Sequence, residues 1–201
     1  MLEASGIPAP IAKAMSDKGY ENLTPVQEEV YKDDYSGLDL LVSAQTGSGK
    51  TIAFGLAIVE NILSDNSFFK TPKSPEALII VPTRELALQV KNELSWLLAS
   101  SEAKIASCVG GMDIRTEKRN LDTKPNIVVG TPGRLKDHIE RNHFNVSNIK
   151  TVVLDEADEM LDMGFREDLE AILDTTPDDR QTLMFSATVP KGIANLAKRY
   201  Q

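Results

Sequence analysis

The chain has 201 residues and a formal net charge of −8, and 41% of its residues are hydrophobic. This length and composition are typical of a single globular domain with one sizeable core. The single cysteine, Cys108, excludes an internal disulfide, and no stretch approaches the ~20 apolar residues of a membrane span, so we expect a cytoplasmic protein.

The negative charge restricts how the chain could bind nucleic acid. A net charge of −8 argues against a domain that holds nucleic acid by bulk electrostatics. It leaves open phosphate contacts made by backbone N–H groups, helix N-termini and a few arginines.

Residues 1–36 are predicted to form a helical segment that precedes the first strand. Ile11, Met15 and residues 18–20 are expected in one short helix. Thr24 is predicted to be the N-cap of a second helix, because its hydroxyl can accept a hydrogen bond from a backbone N–H and Pro25 suits the first helical position.

Short apolar runs alternate with helical patterns along the rest of the chain. The runs are Leu38–Val42, Ala77–Val81, Ile105–Val109, Ile127–Val129, Thr151–Leu154 and Gln181–Phe185. The helical patterns are Ile52–Leu63, Arg84–Leu98, Asp113–Asn120, Gly133–Arg141 and Phe165–Leu173. Nearly continuous β-branched runs separated by helices indicate a parallel sheet that is covered on both faces. The sequence therefore predicts a doubly wound α/β domain.

The first strand leads into a glycine-rich segment that consists of Ala44, Gln45, Thr46, Gly47, Ser48, Gly49, Lys50 and Thr51. Its glycines let backbone N–H groups approach an anion without a Cβ in the way, and the following helix offers its N-terminal N–H groups. Lys50 would reach the outer phosphates of a nucleotide, and Thr51 would ligate the bridging Mg²⁺. Ala44 stands where the generic phosphate-loop pattern has its first glycine, so an ordinary strand-to-helix turn stays an alternative.

Every predicted strand is followed by residues that are able to bind a ligand. The segments after the second to sixth strands are Pro82–Ala87, Gly110-Gly111, Thr131–Arg134, Asp155–Asp158 and Ser186–Thr188. Ligands of open α/β sheets bind outside the carboxyl ends of the strands. One edge of the sheet is therefore predicted to carry the site.

Asp155 and Glu156 follow a buried strand and would point toward the phosphate loop. One carboxylate there is able to hold Mg²⁺, and the next is able to orient an attacking water. The alternative is that Asp155 or Asp158 only caps the next helix. In combination with Lys50 and Thr51, the carboxylates favour a Mg²⁺-dependent nucleoside triphosphatase site.

Two other pairs of residues receive a structural interpretation. His138 and His143 lack Cys, His or carboxylate companions at ligand spacing, so we expect surface histidines and no zinc site. Phe68 and Phe69 belong to a polar loop, residues 64–75, and we expect them to pack locally rather than to mark a partner surface.

The ordered motifs resemble the N-terminal RecA-like domain of a DEAD-box ATP-dependent RNA helicase. They are Ala44–Thr51, Pro82–Ala87, Gly110-Gly111, Thr131–Arg134, Asp155–Asp158 and Ser186–Thr188, and the Asp-Glu-Ala-Asp sequence itself is among them. The resemblance implies a RecA-like ATP-binding domain of the P-loop NTPase type over residues 37–201, preceded by an adenine-recognition segment over residues 1–36. In that family Ala44 is the usual residue before the loop.

The resemblance also implies roles in binding and hydrolysis of ATP. Gln27 would hydrogen-bond the adenine edge, because its amide offers both a donor and an acceptor, and Tyr20 would stack on the ring. Asp155 would position Mg²⁺, and Glu156 would activate the water. Without the resemblance, Gln27 would be interpreted as a helix-surface glutamine.

The family's RNA-facing positions are matched here by Pro82, Thr83, Arg84, Gly111, Thr131, Gly133 and Arg134. Most of them would present amides, hydroxyls or helix N-termini to the RNA backbone, with little sequence preference. Without the resemblance, an intrahelical ion pair would account for Arg84, and solvation of a first helical turn for Arg134. Ser186 and Thr188 would link to Asp158 and couple hydrolysis to domain movement, the alternative being a closed strand turn.

Helicases of this family contain a second RecA-like domain that supplies arginine fingers and the other half of the RNA path. Nothing in this sequence matches that domain, so we expect a piece of a longer protein that hydrolyses ATP poorly alone. The rival interpretations are a helicase-like enzyme that acts on DNA and a non-catalytic, nucleotide-dependent interaction module. Asp158 and Gln27 favour the RNA family, and the intact Lys50, Asp155 and Glu156 argue against a non-catalytic module.

Overall fold

Six parallel strands form one sheet in the computed structural model, which describes residues 2–63 and 68–201 of the chain. The strands are β1 (Leu40–Ser43), β2 (Ala77–Ile80), β3 (Ile105–Cys108), β4 (Ile127–Gly130), β5 (Thr151–Leu154) and β6 (Gln181–Ser186). Their order is β1-β6-β5-β2-β4-β3, and each neighbouring pair is parallel. The predicted parallel α/β architecture is confirmed.

Helices connect the strands and cover the sheet. They are α1 (Ala9–Asp17), α2 (Pro25–Val30), α3 (Lys50–Ile62), α4 (Arg84–Leu97), α5 (Ile114–Asp122), α6 (Pro132–Glu140), α7 (Ala157–Asp162), α8 (Arg166–Thr175) and α9 (Lys191–Tyr200). The short helix α7 is not among the predicted helices. Helix α3 begins at Lys50, before the predicted Ile52, because Gly49 caps it in the left-handed conformation with φ 84°.

The core consists of two apolar clusters on opposite faces of the sheet. Residues that alternate along β2 enter different clusters: Ile79 packs with residues of α3 and α4, whereas Leu78 and Ile80 pack with residues of α8 and α9. Successive side chains of a strand point to opposite faces, so a strand that is buried on both faces must be apolar throughout. All four residues of β2 are buried.

The N-terminal segment differs from its prediction in one place. Helix α1 ends at Asp17, and Gly19 has a φ of 89°, so the expected continuation through residues 18–20 is wrong. Helix α2 begins as predicted, because the Thr24 side chain accepts a hydrogen bond from the backbone N–H of Gln27, and the Gln27 side chain accepts one from Thr24.

The loop before β2 is described only in part, since residues 64–67 lie outside the described residues. Phe69 is buried, as expected, but Phe68 is 48% exposed, so local packing is wrong for Phe68. Within the described ranges, no helix combines the length and apolar character that a membrane span requires.

Candidate functional site

The glycine-rich segment forms a tight turn between β1 and α3. Gly47 and Gly49 have φ values of 83° and 84°, a backbone region that residues with a Cβ seldom occupy. The amide of Ser48 bonds the carbonyl of Gln45 within this turn. Because α3 starts at Lys50, its first backbone N–H groups are directed into the concave side of the loop, where an anion is stabilised.

The fifth strand places two carboxylates beside the lysine of this loop. The Nζ atom of Lys50 lies 3.0 Å from Oδ1 of Asp155 and 3.7 Å from Oε1 of Glu156. The structure thus brings together the three residues that the sequence predicts to be catalytic. Glu156 adopts the left-handed conformation, with φ 53° and ψ 50°, immediately before α7. For a non-glycine residue this conformation is uncommon, and such residues concentrate at functional sites.

Asp155 is fully buried, and its environment fits a hydrated divalent cation. Burial raises the pKa of its carboxyl group, although the Lys50 ammonium opposes that rise. Neither carboxylate oxygen has a hydrogen-bond partner of favourable geometry among the described residues. A carboxylate and the hydroxyl of Thr51 are hard oxygen donors of the kind that Mg²⁺ binds, usually with several retained waters. These residues could therefore hold Mg²⁺. Asp155 does not cap α7, since Glu156 occupies the N-cap position, whereas Oδ1 of Asp158 accepts a hydrogen bond from the N–H of Glu159 in the first turn of α7 at 3.0 Å.

Gln27 is buried against the glycine-rich loop and is not a helix-surface glutamine. Its Nε2 donates to the carbonyl of Gly49 at 3.1 Å, and its Oε1 accepts from the backbone N–H of Thr24 at 2.9 Å. The hydroxyl of Thr24 donates to the carbonyl of Ser48 at 3.0 Å. The start of α2 therefore supports the loop through two side chains, a contact that adenine recognition alone does not predict.

Tyr20 lies beside an aromatic residue that the sequence does not indicate. Its ring stacks on Trp96 of α4, with centroids 6.1 Å apart and an interplanar angle of 15°. The ammonium of Lys18 lies 5.3 Å from the centroid of the Trp96 ring. Trp96 thus fixes the ring that the sequence predicts to stack on adenine.

Asp158, Ser186 and Thr188 meet at the carboxyl ends of β5 and β6. Oδ2 of Asp158 accepts from the backbone N–H of Thr188 at 3.0 Å and from its hydroxyl at 2.9 Å. The hydroxyl of Ser186 accepts from the N–H of Asp158 and donates to the carbonyl of Thr188. Burial alone would raise the pKa of Asp158, but the hydrogen bonds from Thr188, Glu159 and Ser186 together outweigh it and lower that pKa. Strand β6 is thereby joined to the Asp155–Asp158 motif.

The predicted RNA-facing residues occupy the other half of the same sheet edge. Arg84 is exposed at the start of α4, and a Cβ on Gly111 would lie 2.7 Å from its Nη1, so the two residues are adjacent. Among the described residues Arg84 forms no ion pair, which excludes the intrahelical pair considered above. A cleft of about 570 Å³ next to them is lined by Gly110, Met112, Asp113, Ile114, Thr131, Gly133, Arg134, Asp137 and Phe165.

The remaining positions of this set are the starts of α4 and α6. Thr83 caps α4, accepting a hydrogen bond from the backbone N–H of Leu86 at 3.2 Å, and Pro82 beside it is buried. Thr131 stands at the N-cap position of α6, and Gly133 is exposed in its first turn. Both helices thus direct their N-terminal N–H groups to this edge, where an anion is stabilised.

Arg134 is not a solvated residue of a first helical turn. Only 18% of its side chain is exposed, and its Nη1 lies 3.4 Å from Oε1 of Glu117. Its Nη2 donates to the carbonyl of Met112 at 3.3 Å. The guanidinium of Arg134 therefore connects α6 to the segment that follows Gly111.

The interpretation of His138 and His143 as surface histidines is wrong for His138, which is fully buried. Its Nε2 lies 2.8 Å from Oε1 of Glu117, and its Nδ1 lies 2.8 Å from Nδ1 of His143. No sequence motif identifies Glu117 or its contact with His138. The one available signal is that Glu117 precedes the buried Leu121 by four residues, so both lie on the inner face of α5.

Comparison with known proteins identifies the arrangement. A family model described as DEAD/DEAH box helicase matches residues 24–196. The chain belongs to this family. It is 47% identical over 195 residues to the ATP-dependent RNA helicase CshA of Limosilactobacillus reuteri, a match that covers 97% of this chain and 38% of that protein.

Two further comparisons agree with this membership. The DEAD-box ATP-dependent RNA helicase CshA of Bacillus subtilis (strain 168) is 46% identical over 192 residues, or 94% of this chain and 37% of that protein. The crystal structure of a DEAD box protein from the hyperthermophile Methanococcus jannaschii matches with a TM-score of 0.88 at 42% identity, covering 97% of this chain and 52% of that one. The chain thus spans less than two fifths of the length of the two CshA relatives. The predicted family and RecA-like fold are confirmed.

Proposed function

We propose that this chain is the nucleotide-binding RecA-like domain of an ATP-dependent RNA helicase, which hydrolyses ATP and uses the energy to unwind or remodel RNA. The observation that carries this proposal is the contact of Lys50 with Asp155 and Glu156 at the end of a glycine-rich loop. A binding module that has lost turnover would not need a second carboxylate at this point. The relatives named above, at 46–47% identity, are ATP-dependent RNA helicases.

The position of each residue in the nucleotide site indicates its role. The loop amides and Lys50 bind the phosphates, and Lys50 exchanges its contact with Asp155 for one with the outer phosphates. Thr51 and Asp155 would hold Mg²⁺, which would neutralise charge that develops on the phosphates. Glu156 lies beside Lys50 and is partly exposed, so its carboxylate is able to orient the attacking water.

The RNA backbone occupies the neighbouring part of the sheet edge. Arg84, the turn at Gly111 and the start of α6 offer a guanidinium, backbone amides and a helix N-terminus to phosphates. The contacts of Asp158 with Thr188 join the nucleotide site to β6. A second RecA-like domain in the complete protein supplies the arginine fingers, which are worth roughly 10³–10⁵ in rate.

Mg²⁺-dependent ATP turnover, with and without single-stranded RNA, tests the proposal. It is measured for this chain alone and for the complete natural protein that contains it. We expect strong stimulation by RNA only in the complete protein, and weak turnover by the chain alone. Strong RNA-stimulated turnover by the chain alone would mean that the arginine fingers are dispensable, which contradicts the mechanism.

Two controls separate the rival functions. Stimulation by single-stranded DNA as strong as by RNA would favour a DNA-directed enzyme. Glu156→Gln keeps the shape of the side chain but removes the carboxylate, so it should abolish turnover and spare ATP binding. If turnover were unchanged, Glu156 would not activate the water.

A further inference from the structure

Glu117 is a buried carboxylate that the nucleotide site does not use. Only 1% of its side chain is exposed, although it stands on α5, a helix with mostly polar residues. Buried carboxylates are costly unless they are paired and hydrogen-bonded. Both oxygens of Glu117 have partners, so the arrangement around them is specific.

The two oxygens of Glu117 contact different parts of the chain. Oε2 accepts a hydrogen bond from the backbone N–H of Val109 at 2.7 Å. Oε1 lies 2.8 Å from Nε2 of His138 and 3.4 Å from Nη1 of Arg134, both on α6. One carboxylate therefore connects the end of β3 to the first turns of α6.

The connected segments are those that present the predicted RNA-facing groups. Val109 directly precedes Gly110-Gly111, whose backbone lies next to Arg84. Arg134 donates to the carbonyl of Met112, so its guanidinium closes a ring of contacts that runs from Val109 through Glu117 and back to Met112. Movement of Glu117 would disturb both segments together.

His138 is the third group that contacts the Glu117 carboxylate, beside Val109 and Arg134. Because Nε2 donates to Glu117, the close approach of the two Nδ1 atoms of His138 and His143 requires one proton between them. His138 and Arg134 thus share Oε1 of Glu117, and Oε2 accepts from the N–H of Val109. With His138 and the N–H of Val109 in place, the Glu117 carboxylate has one arrangement in which every donor around it finds an acceptor.

We propose that Glu117 is a positioning residue for RNA binding, which holds Arg134 and the Val109–Gly111 turn in the arrangement that contacts the RNA backbone. This inference rests on the proposed function. It does not require Glu117 to touch RNA, since the residue is buried beneath the contacting groups. Its effect should therefore appear in the affinity for RNA and not in the affinity for ATP.

Glu117→Gln is the variant that tests this role with little change in volume. A carboxamide has one oxygen and one NH₂ group, whereas both present oxygens accept from donors. With the carboxamide oxygen on the N–H of Val109, the NH₂ group faces Arg134, which only donates, and it can donate to Nε2 of His138 only if that ring takes the other tautomer. In the opposite orientation the NH₂ group faces the N–H of Val109. We expect RNA affinity to fall about tenfold, equivalent to about 1.4 kcal/mol, with the KM for ATP unchanged within about twofold.

Asp122→Asn is the matched control. Asp122 lies on the same helix, its side chain is 56% exposed and it pairs with Lys118, so the substitution makes the same change in net charge without touching the ring of contacts. Both variants are made in the complete natural protein. Binding of a fluorescent single-stranded RNA, the KM for ATP and thermal unfolding are measured on each, and Asp122→Asn should behave as the unaltered protein does.

A double-mutant cycle with Arg134→Lys identifies the route of the effect. Lysine keeps the positive charge but cannot contact Glu117 and the Met112 carbonyl together, so Glu117→Gln should cost much less in that background than alone. Glu117→Asp, which keeps the charge but is one methylene shorter, should weaken RNA binding with the same sign. If Glu117→Gln does not fold, RNA binding by Glu117→Asp tests the inference in its place.

Several results would overturn the inference. RNA binding by Glu117→Gln that is unchanged, or tighter because a carboxylate no longer competes with RNA phosphates for Arg134, would refute it. An equal loss of affinity for ATP and RNA would also refute it, since that indicates a general loss of structure. If the unaltered protein bound no RNA, the proposed function would fail and this inference with it, whereas normal binding that is insensitive to Glu117 refutes the inference alone.

Discussion

Gly49→Ala is expected to disrupt the support that α2 gives to the phosphate loop. A Cβ at this position would lie 2.6 Å from Nε2 of Gln27 and 3.1 Å from Oγ1 of Thr24. Gln27 cannot turn away without cost, because it is fully buried and donates to the carbonyl of Gly49. The φ of 84° adds strain for any residue with a side chain. We expect a loss of about 2–3 kcal/mol in the free energy of unfolding, composed of about 1–2 for the left-handed backbone and about 1 for the broken hydrogen bond.

Gly47→Ala separates backbone strain from the steric clash. Gly47 has nearly the same φ, 83°, but no atom lies within 4 Å of the position that its Cβ would take. This variant should therefore lose only the strain, about 1–2 kcal/mol. Urea unfolding gives both values, and fluorescence titration with a labelled ADP measures the loop's affinity for nucleotide.

Removal of the Gln27 side chain provides the decisive comparison. In a Gln27→Ala background the Cβ that Gly49→Ala introduces would no longer meet the Nε2 atom, so this substitution should cost about 1 kcal/mol less there than in the unaltered protein. Equal penalties for Gly49→Ala and Gly47→Ala, or the same Gly49→Ala penalty in both backgrounds, would refute the idea that Gln27 supports the loop.

Three further substitutions test other contacts of the site. Trp96→Ala removes the stacking partner of Tyr20 and should weaken nucleotide binding roughly 2- to 12-fold, corresponding to about 0.5–1.5 kcal/mol, whereas an unchanged Kd for ADP would mean that Tyr20 does not act through this stack. Thr188→Val removes one hydrogen bond to Asp158 and should reduce RNA unwinding while it leaves the KM for ATP unaltered; a proportional fall in both would contradict a coupling role. Burial and the neighbouring imidazole lower the pKa of His143 from 6.5, so the unfolded state takes up the proton first and stability should fall as the pH drops below 6.5. His143→Gln should flatten that part of the stability profile, and an unaltered profile would assign the titration elsewhere.

The fold was predictable because its determinants are local in the sequence. A strand such as β2 is apolar at every position since both of its faces are buried, and this pattern is visible without structural knowledge. Gly49 and Lys50 likewise reveal a phosphate loop, because the turn requires a left-handed residue and the helix must follow at once.

Contacts between distant segments were not predictable in the same way. His138 is an isolated histidine in the sequence, and its partner Glu117 comes from a different helix, so the surface interpretation was reasonable and wrong. Trp96 meets Tyr20 only because α4 packs against the N-terminal segment. Glu117, His138 and Trp96 belong to no sequence motif, and tertiary packing alone brings each of them next to its partner.

The net charge of −8 is compatible with binding of an RNA backbone because the cations at the predicted RNA edge act locally. Electrostatic screening acts over about 8 Å at physiological ionic strength, so a phosphate in contact with Arg84 interacts little with carboxylates elsewhere on the surface. Arg134 is different, since the negative charge of Glu117 lies 3.4 Å away and offsets much of its attraction for phosphate. Arg134 therefore contributes more through the geometry that it fixes than through its charge. This domain should accordingly contribute a shallow salt dependence, of about −0.7 per neutralised phosphate of a single strand, and the amides at Gly111 and at the start of α6 should account for contacts that salt does not weaken.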